Sequence, residues 1–172
     1  MRALPTRKLD KRIITVWRLS ALINTVLWSA FALVPLGIGW LVSATLRDAE
    51  SHFAAFVLGW VFAAAAAVAL VFFIAFVVIA PRVRWLRWSF EVGEDEIDIH
   101  KGIIWRERII IPLIRVQNVD TKQGPILRAN HLASFTVSTA AGAHEIPGLA
   151  VDEADVLRDR VALLARIAQE DV

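Results

Sequence analysis

The sequence predicts an α+β membrane protein: a two-helix transmembrane hairpin, then a small, strongly bent β-sheet or open barrel capped by a C-terminal helix. Three observations carry this. Phe53–Ala80 runs 28 residues without a charge; as a helix rising ~1.5 Å per residue it exceeds the ~30 Å hydrocarbon core of a bilayer. A second uncharged run of 27 residues, Ser20–Leu46, precedes it. From Trp88 onward the pattern changes to short alternating segments broken by turns, ending in one amphipathic stretch. Composition agrees: 57% of residues are hydrophobic and mean hydropathy is +0.56, above the ~45–50% apolar content of ordinary globular chains. Three segments are expected: a basic N-terminal segment over 1–19, the hairpin over 20–81 (helices at about 20–46 and 53–80), and a polar domain over 82–172.

The N-terminal segment carries Arg2, Arg7, Lys8, Lys11, Arg12 and Arg18 against Asp10 alone. A signal peptide also begins with basic residues, but its apolar region is ~7–15 residues long. The 27-residue run is better read as an uncleaved first helix. Between the two runs lies Arg47-Asp48-Ala49-Glu50-Ser51-His52, a short, net acidic link that requires antiparallel helices. Both outer ends of the hairpin are basic, the far end through Arg82, Arg84 and Arg87. The positive-inside rule then places the N-terminus and the C-terminal domain in the cytoplasm. Trp17, Trp85 and Trp88 are expected at the inner interface with Arg12, Arg18, Arg82, Arg84 and Arg87, and Trp40 near the outer one. Trp28 and Trp60 lie deeper and are expected to pack between helices.

Pro35, Gly37 and Gly39 predict a kink or loosened turn in the first helix. In the second, Gly59, Ala63 and Ala67 recur every four residues, a small-residue stripe that permits close helix approach. Its partner is either Ala32 and Gly39 of the first helix or another subunit. Neither run contains an ionisable side chain, and two helices cannot enclose a pathway, which argues against transport by this chain alone.

In the polar domain, Ser89–Val92 and Ile97–His100 alternate around a Gly93-Glu94-Asp95 turn. A third strand is expected over Ile103–Ile111, ending at Pro112. A fourth follows over Arg115–Lys122, then one or two helical turns over Ile126–Leu132. A fifth strand is expected over Phe135–Thr139 and a short sixth over His144–Ile146, stopped by Pro147-Gly148. The chain closes with a helix from about Asp152 to Gln169. Asp152, Glu153 and Asp155 suit its positive dipole end, and Ala154, Leu157, Val161, Leu164 and Ala168 form one apolar stripe.

Phe90-Glu91-Val92, Gly102-Ile103-Ile104-Trp105-Arg106, Ile111-Pro112, Arg115-Val116-Gln117-Asn118-Val119, Gln123-Gly124-Pro125, Thr139-Ala140 and Ile146-Pro147-Gly148-Leu149 occur in this order. Together with the preceding hairpin they resemble the YdbS-like family of bacterial membrane proteins with a PH-like (pleckstrin-homology-like) domain. The resemblance implies a PH-like roll closed by a C-terminal helix. It also implies assembly with a second membrane protein carrying PH-like domains. His131 stands where that family has glycine.

Charge excludes several functions. Residues 1–81 carry seven Lys/Arg against three Asp/Glu, while 82–172 carry twelve against fourteen. The folded domain is therefore slightly acidic, unlike a nucleic-acid binder. The Gly93–Glu96 loop, where phosphoinositide-binding PH domains place cations, is acidic here and would repel phosphate. Without cysteine, thiolate metal sites and a Cys nucleophile are excluded, and the four histidines are scattered with no metal-ligand spacing. No G-x-S-x-G or phosphate-loop motif occurs. No catalytic residue, metal or cofactor is expected.

The candidate interaction surface is the polar stretch Arg115, Gln117, Asn118, Asp120, Lys122 and Gln123. Its residues either recognise a peptide or partner domain, or hydrogen-bond the Pro112 turn and the short helix to fix the fold. Two functions remain open: a non-enzymatic interaction scaffold that assembles with another PH-like membrane protein or with itself, and a lipid-sensing or membrane-protective component of a larger assembly.

Overall fold

The computed structural model describes residues 5–45 and 49–170, and the side chains within those ranges except at 49–51. Leu46 at the end of the first uncharged run, Arg47 and Asp48 of the hairpin link, and Arg2 of the basic segment lie outside the described residues. The chain divides into two compact units, one of which is Trp17–Pro81; the described residues on either side of it form the other.

The helical unit is dominated by α1 (Ile13–Thr45) and α2 (Ala49–Phe73). α2 continues through a π-helical turn, Ile74–Ile79, into α3 (Ala80–Leu86). The helix therefore does not stop at Pro81. Proline has no N–H to donate, and its ring crowds the carbonyl four residues back. The wider turn relieves both constraints: the Ala80 N–H donates to the Ala75 carbonyl, five residues back.

Large apolar side chains point outward all round both helices, among them Phe31, Phe53, Phe56, Leu70 and Val71. A soluble core helix would bury such side chains, whereas a lipid-facing one exposes them. Trp28 and Trp60 are exposed as well, at 71% and 67%, rather than packed between helices. Each meets an aromatic neighbour edge-on along its own helix, Phe31 and Phe56 respectively.

The β unit holds two three-stranded antiparallel sheets. The first has the order β1-β2-β3, from Ser89–Val92, Glu96–Lys101 and Glu107–Pro112. The second has the order β4-β5-β6, from Val116–Lys122, Leu132–Thr139 and Gly142–Ala150. A 3-10 turn, Leu113–Arg115, joins them, and the short α4 (Pro125–Ala129) links β4 to β5. The last helix, α5 (Val151–Glu170), packs on β4, β5 and β6.

Alternation explains the core. Ile97 and Ile99 of β2 are buried between less buried neighbours, and Phe90, Ile111, Leu113, Phe135, Val137, Ile146 and Leu149 complete the apolar interior. Each fully buried aromatic or branched side chain contributes about 1.5–3 kcal/mol. α5 buries Ala154, Leu157, Val161 and Ala165. Ala165 lies four residues beyond Val161 and closes the stripe, while Leu164 and Ala168 are half-buried at its margin.

Several strand boundaries differ from expectation: β5 begins at Leu132 rather than Phe135, taking a residue assigned to the helical turns, and β6 begins at Gly142 rather than His144. β3 begins at Glu107, not Ile103, because Gly102 takes φ +118° and folds the chain back; a Cβ there would lie 1.8 Å from the Trp105 carbonyl oxygen. β6 passes through Pro147 and Gly148 instead of stopping at them. It is an edge strand, where a missing N–H is tolerated, and the register shift between Ala133 and Phe135 absorbs the irregularity.

The N-terminal residues belong to this unit. The Phe90 N–H donates to the Arg7 carbonyl (3.0 Å), adding a bridge at the outer edge of β1, and the Asp10 N–H donates to the Gly148 carbonyl (3.0 Å). Leu9 and Ile13 are buried, and the Trp85 indole N–H donates to the Leu9 carbonyl at 2.8 Å.

Candidate functional site

β3 is the outer strand of one sheet and β4 the outer strand of the other. Only the Leu113–Arg115 turn separates them, so both edges border one groove of about 470 Å³. Ile109–Pro112 line one wall, Arg115, Val116 and Gln117 the other, and the Thr139–Ala141 turn with His144 and Gln169 closes the end. Ile110 and Ile114 offer apolar surface there and are both more than 40% exposed. Gln169 of α5 donates its amide to the Val116 carbonyl (3.0 Å), fixing the helix end against β4.

The polar stretch does not simply alternate: a register shift between Val116 and Asn118 leaves Gln117 and Asn118 both exposed, and Gln123 lies beyond β4. Arg115 and Gln117 are exposed on the groove, and neither side chain hydrogen-bonds among the described residues. Gln117 and Asn118 also border a smaller recess of about 240 Å³ between β4 and α5, beside Arg166. Asn118 donates to the Asp120 carboxylate at 2.8 Å, and Lys122 is exposed. Gln123 instead donates to the Leu132 carbonyl (2.9 Å), which holds the α4 connection in place.

The interface residues separate similarly. Trp88 is only 3% exposed and is a core side chain rather than a belt residue. Trp85 is half-buried with Lys11 over its ring at 5.9 Å. Arg12 pairs with Asp10, whose carboxyl its guanidinium hydrogen bonds hold below the ordinary carboxylate range, with burial opposing. Arg82, Arg84 and Arg87 are exposed, and Trp17 and Arg18 half-buried. In the helical unit a Cβ on Gly59 would meet the Trp40 indole nitrogen at 3.2 Å, whereas one on Gly39 would meet nothing within 4 Å. Ala63 and Ala67 are exposed, while Ala32 shares an apolar groove with Ala65 and Ala69. Among the described residues, no group of His, Asp or Glu side chains could hold a metal ion.

Sequence reading missed the pairing of Arg115 and Gln117 with Ile110 and Ile114. The signal for this wall is the charge-free interval Ile109–Ile114, which carries apolar side chains past the end of the strand at Pro112.

Long apolar helices joined to two small sheets and a capping helix define a membrane protein with a PH-like domain. The bacterial PH domain family matches residues 19–165, and the chain belongs to it. It is similar to the UPF0699 transmembrane protein YdbS of Bacillus subtilis (strain 168), 48% identical over 113 residues, covering 66% of this chain and 71% of that one. It is also similar to the UPF0699 transmembrane protein YdbT of the same organism, 25% identical over 99 residues. That match covers 55% of this chain but only 20% of the much longer YdbT. No solved structure matches the chain.

Proposed function

We propose that this protein is a non-enzymatic scaffold at the inner face of the bacterial plasma membrane, whose β unit receives an extended segment of a partner. The observation that carries the reading is the groove between β3 and β4, where two sheet edges face one apolar channel. An added strand would gain main-chain hydrogen bonds from an edge and seat alternate side chains against Ile110 and Ile114. Arg115, Gln117 and Asn118 would form the polar rim that selects the partner, with Asp120 orienting Asn118.

The partner class is another membrane protein with PH-like domains, or a second copy of this chain. The existence of YdbT, a longer transmembrane protein with a stretch similar to this chain, supports the first. In the helical unit the exposed Ala63 and Ala67 suit close approach by a helix of that partner. The basic flanks support an orientation with both tails in the cytoplasm and domain limits near 20 and 81.

Two experiments test the reading. Full-length protein purified in mild detergent should bring down a PH-like membrane protein or itself, and Ile114→Glu should abolish capture without changing melting temperature. Recovery of a monomer alone, or undiminished capture by Ile114→Glu, refutes it. A reporter fused after Val172 should be active only in the cytoplasm.

A further inference from the structure

Another cavity of about 310 Å³ lies in the β unit and shares no lining residue with the groove. Pro5, Lys8, Leu86, Arg87, Ser89, His100, Gly102 and Arg106 surround it, and no carboxylate is among them. Lys8 donates one N–H to the Leu86 carbonyl (2.9 Å), and Arg87 one to the Ile103 carbonyl (3.1 Å). Both cations keep further donors, and Arg106 is exposed. Glu107, next to Arg106 in sequence, is engaged by Lys101 at 3.4 Å. Three cations, an imidazole and a hydroxyl around one recess match a phosphate oxygen cluster.

Beside the recess, the tight turn at Gly102 pushes out Ile103, Ile104 and Trp105. Ile104 is 84% exposed and Trp105 87%, the most exposed large apolar side chains of the chain's described residues. A water-facing loop has no use for Ile-Ile-Trp, whereas the interfacial layer of a bilayer favours tryptophan flanked by cations. Position agrees as well. Leu86 is the last residue of α3, and Arg87 follows it. The Arg87–Ile103 hydrogen bond therefore ties the loop to the residue that follows α3.

We propose that this recess binds the phosphate of an anionic phospholipid headgroup while Ile104 and Trp105 insert beside it into the same leaflet. The site lies at the opposite end of the β1–β2 hairpin from the acidic Gly93–Glu96 loop. It is independent of the partner groove.

The full chain, being free of cysteine, permits one environment-sensitive fluorophore on Ile104→Cys. In nanodiscs of phosphatidylcholine containing phosphatidylglycerol its emission should shift to the blue and be quenched by lipid-borne quenchers. A label on Val156→Cys, exposed on α5, should remain aqueous. In detergent, short-chain phosphatidylglycerol should bind the wild type and lose affinity about 5-fold on Arg106→Gln and about 30-fold on Lys8→Gln/Arg106→Gln, following the attraction of each cation for an anionic surface. Trp105→Ser, a change at an exposed side chain, should abolish the lipid-dependent shift at position 104 yet leave short-chain lipid binding within about 2-fold of wild type. An aqueous Ile104 label in anionic discs overturns the proposal. So does inorganic phosphate competing as well as the lipid, which marks a free-anion site, or a label shielded only when another protein is bound.

Discussion

Replacing Gly148 with alanine should destabilise the β unit far more than an ordinary Gly→Ala change. Gly148 takes φ +67°, and an added Cβ would lie 2.5 Å from Cβ and Cγ1 of Ile13 and 2.7 Å from its Cδ1. Ile13 is 1% exposed, and its branched Cβ cannot rotate out of the way. The left-handed backbone costs a non-glycine residue about 1–2 kcal/mol, and overpacking a filled core adds about 1–3 kcal/mol. Loss of glycine's freedom in the unfolded chain returns about 0.4–1 kcal/mol. The net expectation is about 2–4 kcal/mol. Gly142→Ala is the control: it also has positive φ, +140°, but nothing lies within 4 Å of its added Cβ. It should cost only about 1 kcal/mol. The assay is urea and thermal unfolding of the full chain in detergent, each kcal/mol moving the midpoint by roughly 4–8 °C for a unit of this size. Combining Gly148→Ala with Ile13→Ala removes the Cγ1 and Cδ1 contacts but keeps the Cβ one, and should recover about 0.5–1 kcal/mol of coupling. Equal losses in Gly148→Ala and Gly142→Ala would refute the claim that the N-terminal segment is packed into the β unit.

His131 holds φ +54°, so His131→Gly should raise stability by about 0.5–1 kcal/mol, read as a higher unfolding midpoint. Asp10 has a carboxyl held below its ordinary range by Arg12. A depressed folded-state pKa contributes stability that is present above the unfolded-state value and lost as pH falls through the folded one. Since Arg12 is about half exposed (47%), Asp10→Asn should cost only about 0.5–1 kcal/mol near neutral pH. Unfolding curves of the two proteins should converge as the acid limb is entered.

Much of the architecture was legible because its causes are local in sequence. Charge-free runs reveal lipid-facing helices, alternation in Ile97–Ile99 reveals a half-buried strand, and the stripe through Leu157 and Val161 reveals a covering helix. What escaped reading depends on contacts distant along the chain. Leu9 and Ile13 looked like a basic flank because their neighbours are Lys8, Lys11 and Arg12, yet they pack on strands more than seventy residues away. Trp88 sat among interface residues by position, but the start of β1 turns it inward. Of the six polar residues, sequence could group them but could not show that Gln123 braces a loop while Arg115 faces a groove.

β3 itself indicates which part of its edge can accept a partner. At the turn end, Arg108 is bound to the Asp98 carboxylate by two of its nitrogens and Glu107 meets Lys101. Charged side chains on an edge discourage pairing with another strand. From Ile109 to Pro112 the edge carries no charge, and this is the portion that lines the groove. Docking by strand addition should therefore use the Ile109–Pro112 end alone. Ile110→Lys would place a charge where an apolar side chain must be seated and should weaken capture by about 10–100-fold, corresponding to about 1–3 kcal/mol. Glu107→Gln, at the far end of the same strand, should leave capture within about 2-fold. Site-specific photocrosslinkers at Ile110 and Glu107 in the full-length protein would separate the two ends. Crosslinking to the partner should occur from position 110 and not from 107. Equal yields from both positions would mean that the whole strand, or a different face, makes the contact, and the groove would lose its assignment.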